Sequence, residues 1–174
     1  MPVNIYVLPL GDDIDHDVLE HIRRSIEDTI GPETTILDPQ PVPEHTFSPY
    51  VHQFSAPSIV HQLAVAAEGP SSKVLGVTAF DLYAPRTNYV FGEAQMSGQV
   101  AIVSLYRLCE RGRQLYFDRV AKEAVHELGH TFGLEHCDDP TCVMHFSHTI
   151  TDTDLKTGEF CAKDKALLNE ALKR

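Results

Sequence analysis

The chain has 174 residues, 43% of them hydrophobic and 22% charged, a balance that suits one folded domain with its own core and excludes a disordered segment. Its 14 Lys and Arg against 25 Asp and Glu give a formal charge of -11, which excludes nucleic acid as a partner because phosphate binding needs clustered cations. No apolar run reaches the roughly 20 residues that cross a bilayer, and residues 3–8 are too short and too polar at their flanks for a secretory signal. The expectation is a cytoplasmic, monomeric protein with no membrane partner.

Residues 3–8 form the first strand candidate. Ile14, Val18, Ile22 and Ile26 then recur every four residues with Leu19 and Ile30 alongside, the stripe of an amphipathic helix that Gly31-Pro32 stops. Residues 34–37 give a second strand. Pro39, Pro41, Pro43 and Pro49 punctuate residues 38–54, which show no period and read as an ordered loop or flap, either bordering a cleft or simply crossing the surface. From Pro57, the series Ile59, Leu63, Ala66 and Ala67 reads as a second helix closing near Gly69-Pro70. Residues 74–80, 89–91 and 100–105 are further strands, the last nearly all apolar and therefore central. Strands and helices alternate without a repeat, so the chain reads as one α/β unit with its sheet in the first two thirds.

Between Asp118 and Phe132, apolar Ala121, Val125, Leu128 and Phe132 follow spacings of four, three and four, predicting a helix with one face on the sheet and its ionisable groups on the other. His126 and His130 stand one turn, roughly 5.4 Å, apart on the same side, so both imidazoles can meet one ion. Glu127 is rotated about 100° from His126, which places its carboxylate beside the metal and within reach of a water. Gly129 is small enough to ease close packing. Gly133 ends the helix and lets His136 swing back as a third ligand. Three neutral nitrogens on zinc leave a fourth position open for water, as in catalytic and not structural sites. Glu127 is the candidate general base, passing the water's proton to the leaving amine of a peptide bond. The competing reading is a catalytically inactive scaffold that binds protein partners. The full pattern over residues 126–136 arises by chance in roughly one chain in ten thousand of this composition.

Four cysteines, Cys109, Cys137, Cys142 and Cys161, read as metal ligands or buried thiols and not as disulfides, with Cys109 a buried thiol. His16, His21, His45, His52 and His61 lack paired spacing and read as surface or satisfied core residues.

The H-E-x-x-H-x-x-G-x-x-H pattern resembles the elongated zinc motif of the metzincin metallopeptidases, with Met144 at the place of their Met-turn. His136 is followed at once by Cys137, then by Cys142, Val143 and Met144, and later by Cys161, a series that resembles the archaemetzincin family. Residues 90–94 are also similar to that family. The resemblance implies an α/β metzincin fold with a mixed twisted sheet, an active-site helix on the cleft floor, an upper subdomain of about residues 1–133 and a small lower one of about 134–174. It further implies a peptide or protein substrate, a catalytic zinc on His126, His130 and His136, and a second, structural zinc on the cysteines, with Met144 packed under the site. Val90, Phe91, Gly92, Glu93 and Ala94 are the candidate edge for pairing with a substrate backbone, and read equally as a buried strand or a turn at Gly92.

Two departures stand out. The family's final C-x-x-C is here Cys161-Ala162-Lys163-Asp164, so three thiolates and one Asp164 oxygen would complete the second tetrahedron; His145, His148, Asp138 or an unfilled site are the alternatives. Phe146 stands where some metzincins carry a tyrosine, and it offers no donor for an oxyanion. Ala166, Leu167, Leu168 and Leu172 predict a closing helix for which Asp164 is the candidate cap, a role that competes with ligation.

Overall fold

Alternation along β1 (Asn4–Leu10) decides the layers: Ile5 and Val7 enter one buried cluster, Leu8 and Leu10 the other. The computed structural model describes residues 3–11, 13–66, 71–109 and 112–173, and the alternation recurs in it twice more. In β5 (Ser72–Thr78), Leu75 and Val77 join the first cluster, while in β8 (Val100–Ser104) Ala101 and Val103 join the first and Val100 and Ile102 the second. With β2 (Thr34–Ile36) and β7 (Gly92–Ala94), these strands form a five-stranded sheet in the order β2-β1-β5-β8-β7. All pairings are parallel except β7 against β8, so the sheet is mixed and β7 lies at its edge.

A sheet buried on both faces needs helices on both. The first cluster is filled by α1 (His16–Thr29) through Val18, Ile22 and Ile26, and by α3 (Arg113–Thr131) through Val120, Ala124 and Leu128. The second is filled by α2 (Ala56–Ala66) through Ile59, Val60 and Leu63. Gly76 lets α2 approach, since a Cβ there would lie 3.2 Å from both Leu10 and Leu63. None of the described helices is long and apolar enough to cross a membrane.

Several expectations are corrected. The proline-rich stretch is not featureless: a 3-10 turn at Glu44–Thr46 precedes β3 (Phe47–Ser48) and β4 (Gln53–Ser55), which join β6 (Leu82–Tyr83) in a second sheet ordered β3-β4-β6. Strands of two or three residues carry too little alternation to be seen in a sequence. The strand expected at residues 89–91 lies at Gly92–Ala94, because Val90 bridges to Leu82 instead. The strand expected at 74–80 ends at Thr78, whose hydroxyl accepts the Phe80 N–H and turns the chain. The expected closure of the second helix at Ala67, Gly69 and Pro70 lies outside the described residues. Cys109 is exposed and not a buried thiol.

The last third adds α4 (Ile150–Leu155) and α5 (Ala162–Ala171). Cys161, not Asp164, is the N-cap of α5; Asp164 lies in the first turn, buried, so capping does not compete for its carboxylate. This segment covers the C-terminal half of α3, which is therefore buried all round from Glu123 to Thr131 and has no solvated face there.

Candidate active site

The end of α3 sets the site. Gly133 has φ 88°, and its N–H reaches the His130 carbonyl at 2.9 Å while Leu134 N–H reaches the Gly129 carbonyl at 3.1 Å. This paired closure needs a left-handed residue, which glycine supplies without strain, and it reverses the chain so that His136 faces the helix it has just left.

His126 and His130 are pinned from behind. Nδ1 of His126 lies 2.8 Å from the Val143 carbonyl, and Nδ1 of His130 lies 2.7 Å from the Leu134 carbonyl. A carbonyl can only accept, so both protons sit on Nδ1 and both Nε2 atoms present bare lone pairs. Those two lone pairs face each other at 3.1 Å, where neither can donate. His136 completes the group, its ring 5.3 Å from His126 and 4.8 Å from His130, and the three candidate ligand atoms lie within 4.8 Å of one another. Two facing lone pairs without a donor, joined by a third imidazole, fit a cation, and an all-imidazole set that leaves one side open fits zinc with a free position. Burial, first, and then neighbouring positive charge hold His126 well below the ordinary imidazole range, and burial also lowers His130 and His136. Neutral rings are the ligating form.

Glu127 lies against the sheet edge. A Cβ on Gly92 would sit 2.5 Å from Glu127 Cγ and from the Ile102 carbonyl oxygen, so only glycine permits this approach. Burial pushes the Glu127 carboxyl well above its ordinary range, the carboxylates of Glu123 and Glu93 add to the shift, and Lys156 opposes it. Gly129 serves likewise on the opposite side, where a Cβ would overlap the sulfur of buried Met144. A cleft of about 280 Å³ runs past these groups, bordered by Tyr89, Gly92, Glu127, His126, Phe146 and His148.

Comparison with known proteins decides the family. Residues 60–170 match the sequence model of Peptidase family M54. The chain is 37% identical to the archaemetzincin of Pyrococcus furiosus, over 98% of its own length and 94% of that protein, and 45% identical to the archaemetzincin of Methanopyrus kandleri over 76% and 75%. The crystal structure of the Methanopyrus kandleri protein superposes with a TM-score of 0.92 at 35% identity, covering 99% of this chain and 97% of that one. The chain belongs to peptidase family M54, the archaemetzincins. An archaemetzincin is a zinc metallopeptidase, and both the fold and the resemblance drawn from residues 126–161 agree with that.

Cys137, Cys142, Cys161 and Asp164 bring four candidate ligand atoms within 4.8 Å of one another. Cys137 Sγ is 3.8 Å from Cys161 Sγ, and Cys142 Sγ donates to Asp164 Oδ2 at 3.2 Å. Neither His148 nor Asp138 belongs to the group, and His145 turns its Nδ1 to the Cys137 carbonyl at 2.8 Å. Burial pushes the Cys142 thiol up to about 12, a value for the metal-free cluster. Three sulfurs and one oxygen in a tetrahedral-sized group fit zinc.

The histidines outside the motif lie apart: His16, His45, His52 and His61 are exposed, and His21 packs edge-on against Phe117 at 5.0 Å. Three residues at the cleft were not anticipated. Glu123, one turn before Glu127, takes Lys156 Nζ at 3.0 Å and Thr153 Oγ1 at 2.9 Å, with both charges buried. Tyr89 donates from its hydroxyl to the His148 carbonyl at 3.3 Å, under Arg107 at 4.1 Å from the ring. The i, i+4 spacing of Glu123 and Glu127 was a readable signal; Lys156 and Tyr89 had none, since both are brought in from distant segments.

Proposed function

We propose that the cleft hydrolyses peptide bonds with His126, His130 and His136 holding zinc and Glu127 carrying the proton. The observation that carries this is the pair of His126 and His130 Nε2 lone pairs converging with His136 while Glu127 stands beside them unligated. Zinc, when bound, supplies Lewis acidity toward a water and the substrate carbonyl. Glu127, with its affinity for protons raised by burial, accepts the water's proton and hands it to the leaving amine. Phe146 packs on His136 with ring centroids 4.8 Å apart, at the exposed rim of the site.

The free edge of β7 is the proposed substrate rail. Gly92, Glu93 and Ala94 pair with β8 on one side only, and Val90 and Phe91 lead into the strand at the end of the cleft. The cysteine cluster with Asp164 is the proposed second, structural zinc site. Lying beyond Gly133, it supports a division at about residue 133 between an upper subdomain carrying the sheet and α3 and a lower one carrying Met144, the cysteines and α5. A reducing cytoplasm suits the free thiols. The acidic charge argues for a single chain acting on peptide or protein and against nucleic acid.

The test is Glu127→Gln, which keeps the shape of the side chain and removes its basicity. Hydrolysis of a mixed peptide library falls about 100- to 10,000-fold while zinc content by elemental analysis stays the same. Full activity with full zinc would remove Glu127 from the mechanism.

A further inference from the structure

A second and larger depression opens beyond the start of β7. It has a volume of about 1280 Å³, larger than the ~300–1,000 Å³ of small-ligand pockets, and lies over the carboxyl ends of β1 and β5. Those two strands are where the sheet order reverses, since β2 and β5 flank β1 on opposite sides, and crevices at such points bind ligands. Its floor is aromatic: Phe47, Phe54 and Phe80 pack in series with centroids 5.0 and 4.9 Å apart and planes tilted by 55° and 45°. Phe47, Val51, Phe80 and Tyr106 are all exposed here, a concentration of bare apolar surface that a solitary surface residue does not make.

The formal charges that line the groove are negative, with the exposed imidazole of His52 beside them. Asp13 and Glu44 line it, are exposed, and have no ion-pair partner among the described residues. No Lys or Arg is in its described lining; the nearest guanidinium, Arg107, is taken by Asp81 through bonds of 2.8 and 2.7 Å. Aromatic faces beside unpaired carboxylates attract a cation carried on an apolar body.

The groove and the cleft share no lining residue and stand on either side of one hydrogen-bonded wall built on buried Gln53 and Ser104. Gln53 Nε2 bonds Asp81 in the groove at 2.9 Å and the carbonyl of Asn88 in the cleft at 3.0 Å. Ser104, at the end of β8, takes the Phe91 carbonyl on its N–H at 2.8 Å and donates its hydroxyl to the Phe80 carbonyl at 2.6 Å. Since β7 is antiparallel to β8, a peptide laid along β7 in either direction has one end leaving at this point.

We infer that this groove is an exosite for polypeptide substrates, taking a segment in which Lys or Arg alternates with aromatic or large aliphatic residues, beyond the bond cut in the cleft. The inference presupposes peptide hydrolysis there, so its test has an arm that needs none. The probe is a fluorescent eight-residue peptide alternating Lys and Phe, with a control in which Glu replaces Lys, titrated by anisotropy into zinc-loaded protein carrying Glu127→Gln. The basic peptide binds at least about tenfold tighter than the control, and added Asp13→Asn with Glu44→Gln removes most of that preference, as does raising salt from about 50 to about 500 mM. Phe80→Ser weakens both peptides. In the intact enzyme, Asp13→Asn with Glu44→Gln raises KM for a long substrate bearing the basic-aromatic flank, leaves kcat unchanged, and leaves a short substrate confined to the cleft unaffected. Equal binding of the two peptides, or affinity indifferent to the groove substitutions, overturns the exosite. Absent hydrolysis together with groove-dependent binding overturns the peptidase reading instead and makes the groove a docking site for a basic protein partner.

Discussion

Gly92→Ala tests the contact on which the geometry of the proposed base depends. The added methyl would sit 2.5 Å from Glu127 Cγ, 2.6 Å from its Oε1 and 2.5 Å from the Ile102 carbonyl oxygen. Ordinary carbon contacts are about 3.5–4.0 Å, so about 1 Å must be found. Ile102 belongs to interior strand β8 and is itself fully buried, which leaves β7 or the Glu127 side chain to move. A displacement of about 1 Å at a reacting group lowers kcat/KM by about 100-fold, and overpacking a filled core destabilises by about 1–3 kcal/mol. At about 2–4 °C per kcal/mol for a chain of this size, the melting temperature drops by about 2–12 °C. Gly158→Ala is the control, because a Cβ there meets nothing within 4 Å. Peptidase rates with calorimetry and elemental analysis read all three quantities. Gly92→Ala protein with normal zinc, normal melting and undiminished kcat/KM would refute the argument that the edge strand and the base are in mutual contact.

The buried Glu123–Lys156 pair gives a second prediction: Lys156→Met strands a buried carboxylate and costs about 3–5 kcal/mol by urea unfolding, and the double change with Glu123→Gln recovers most of it. If the double variant is no more stable than the single one, the pair is not the cause. For the second cluster, Asp164→Ala lowers zinc content from about two per chain to about one, whereas Asp164→Cys keeps two and holds the second against chelator for longer. A ratio of about one in the unaltered protein removes this site. In the metal-free protein, burial lowers the His126 pKa in the folded state, so the unfolded chain protonates first. Its contribution to stability is complete above about 6.5 and is lost as pH falls toward the depressed folded value, by up to about 1.4 kcal/mol per pH unit. Glu127, raised by burial, has the opposite sign, so the comparison is wild type against His126→Phe between pH 7.5 and 5; parallel curves would contradict the assignment.

The sequence made the long-period features legible and hid the short ones. Ile14 to Ile30 and residues 100–105 announced α1 and β8 because several residues repeat one environment, whereas β3, β4 and β6 have two or three residues each and no period to detect. The three candidate ligand histidines were readable because two share a helix face and the third follows a glycine that reverses the chain there. Met144 beneath the helix was expected from the motif, but burial of α3 by the rest of its cover, to Lys156, was not, since residues 147–156 carry no pattern of their own. The capping role expected of Asp164 failed for a local reason: the helix begins two residues earlier, at Ala162, with Cys161 as its cap.

The two candidate metal clusters share one short stretch of chain, and this ties their geometries together. His136 and Cys137 are adjacent, as are Cys142 and Val143, whose carbonyl fixes the His126 ring. Cys137 N–H bonds the Met144 carbonyl at 3.0 Å, closing residues 137–144 into a loop with one cysteine near each end. Met144 from that loop fills the space left by Gly129 beneath the helix. A metal on the cysteines would therefore fix the loop that follows His136 and holds the His126 ring from behind, at a point where no sheet or helix does so. In the proposed two-site arrangement, a metal on the sulfur-rich cluster would give the irregular backbone of the lower wall of the cleft the rigidity that hydrogen-bonded structure gives the wall formed by β7.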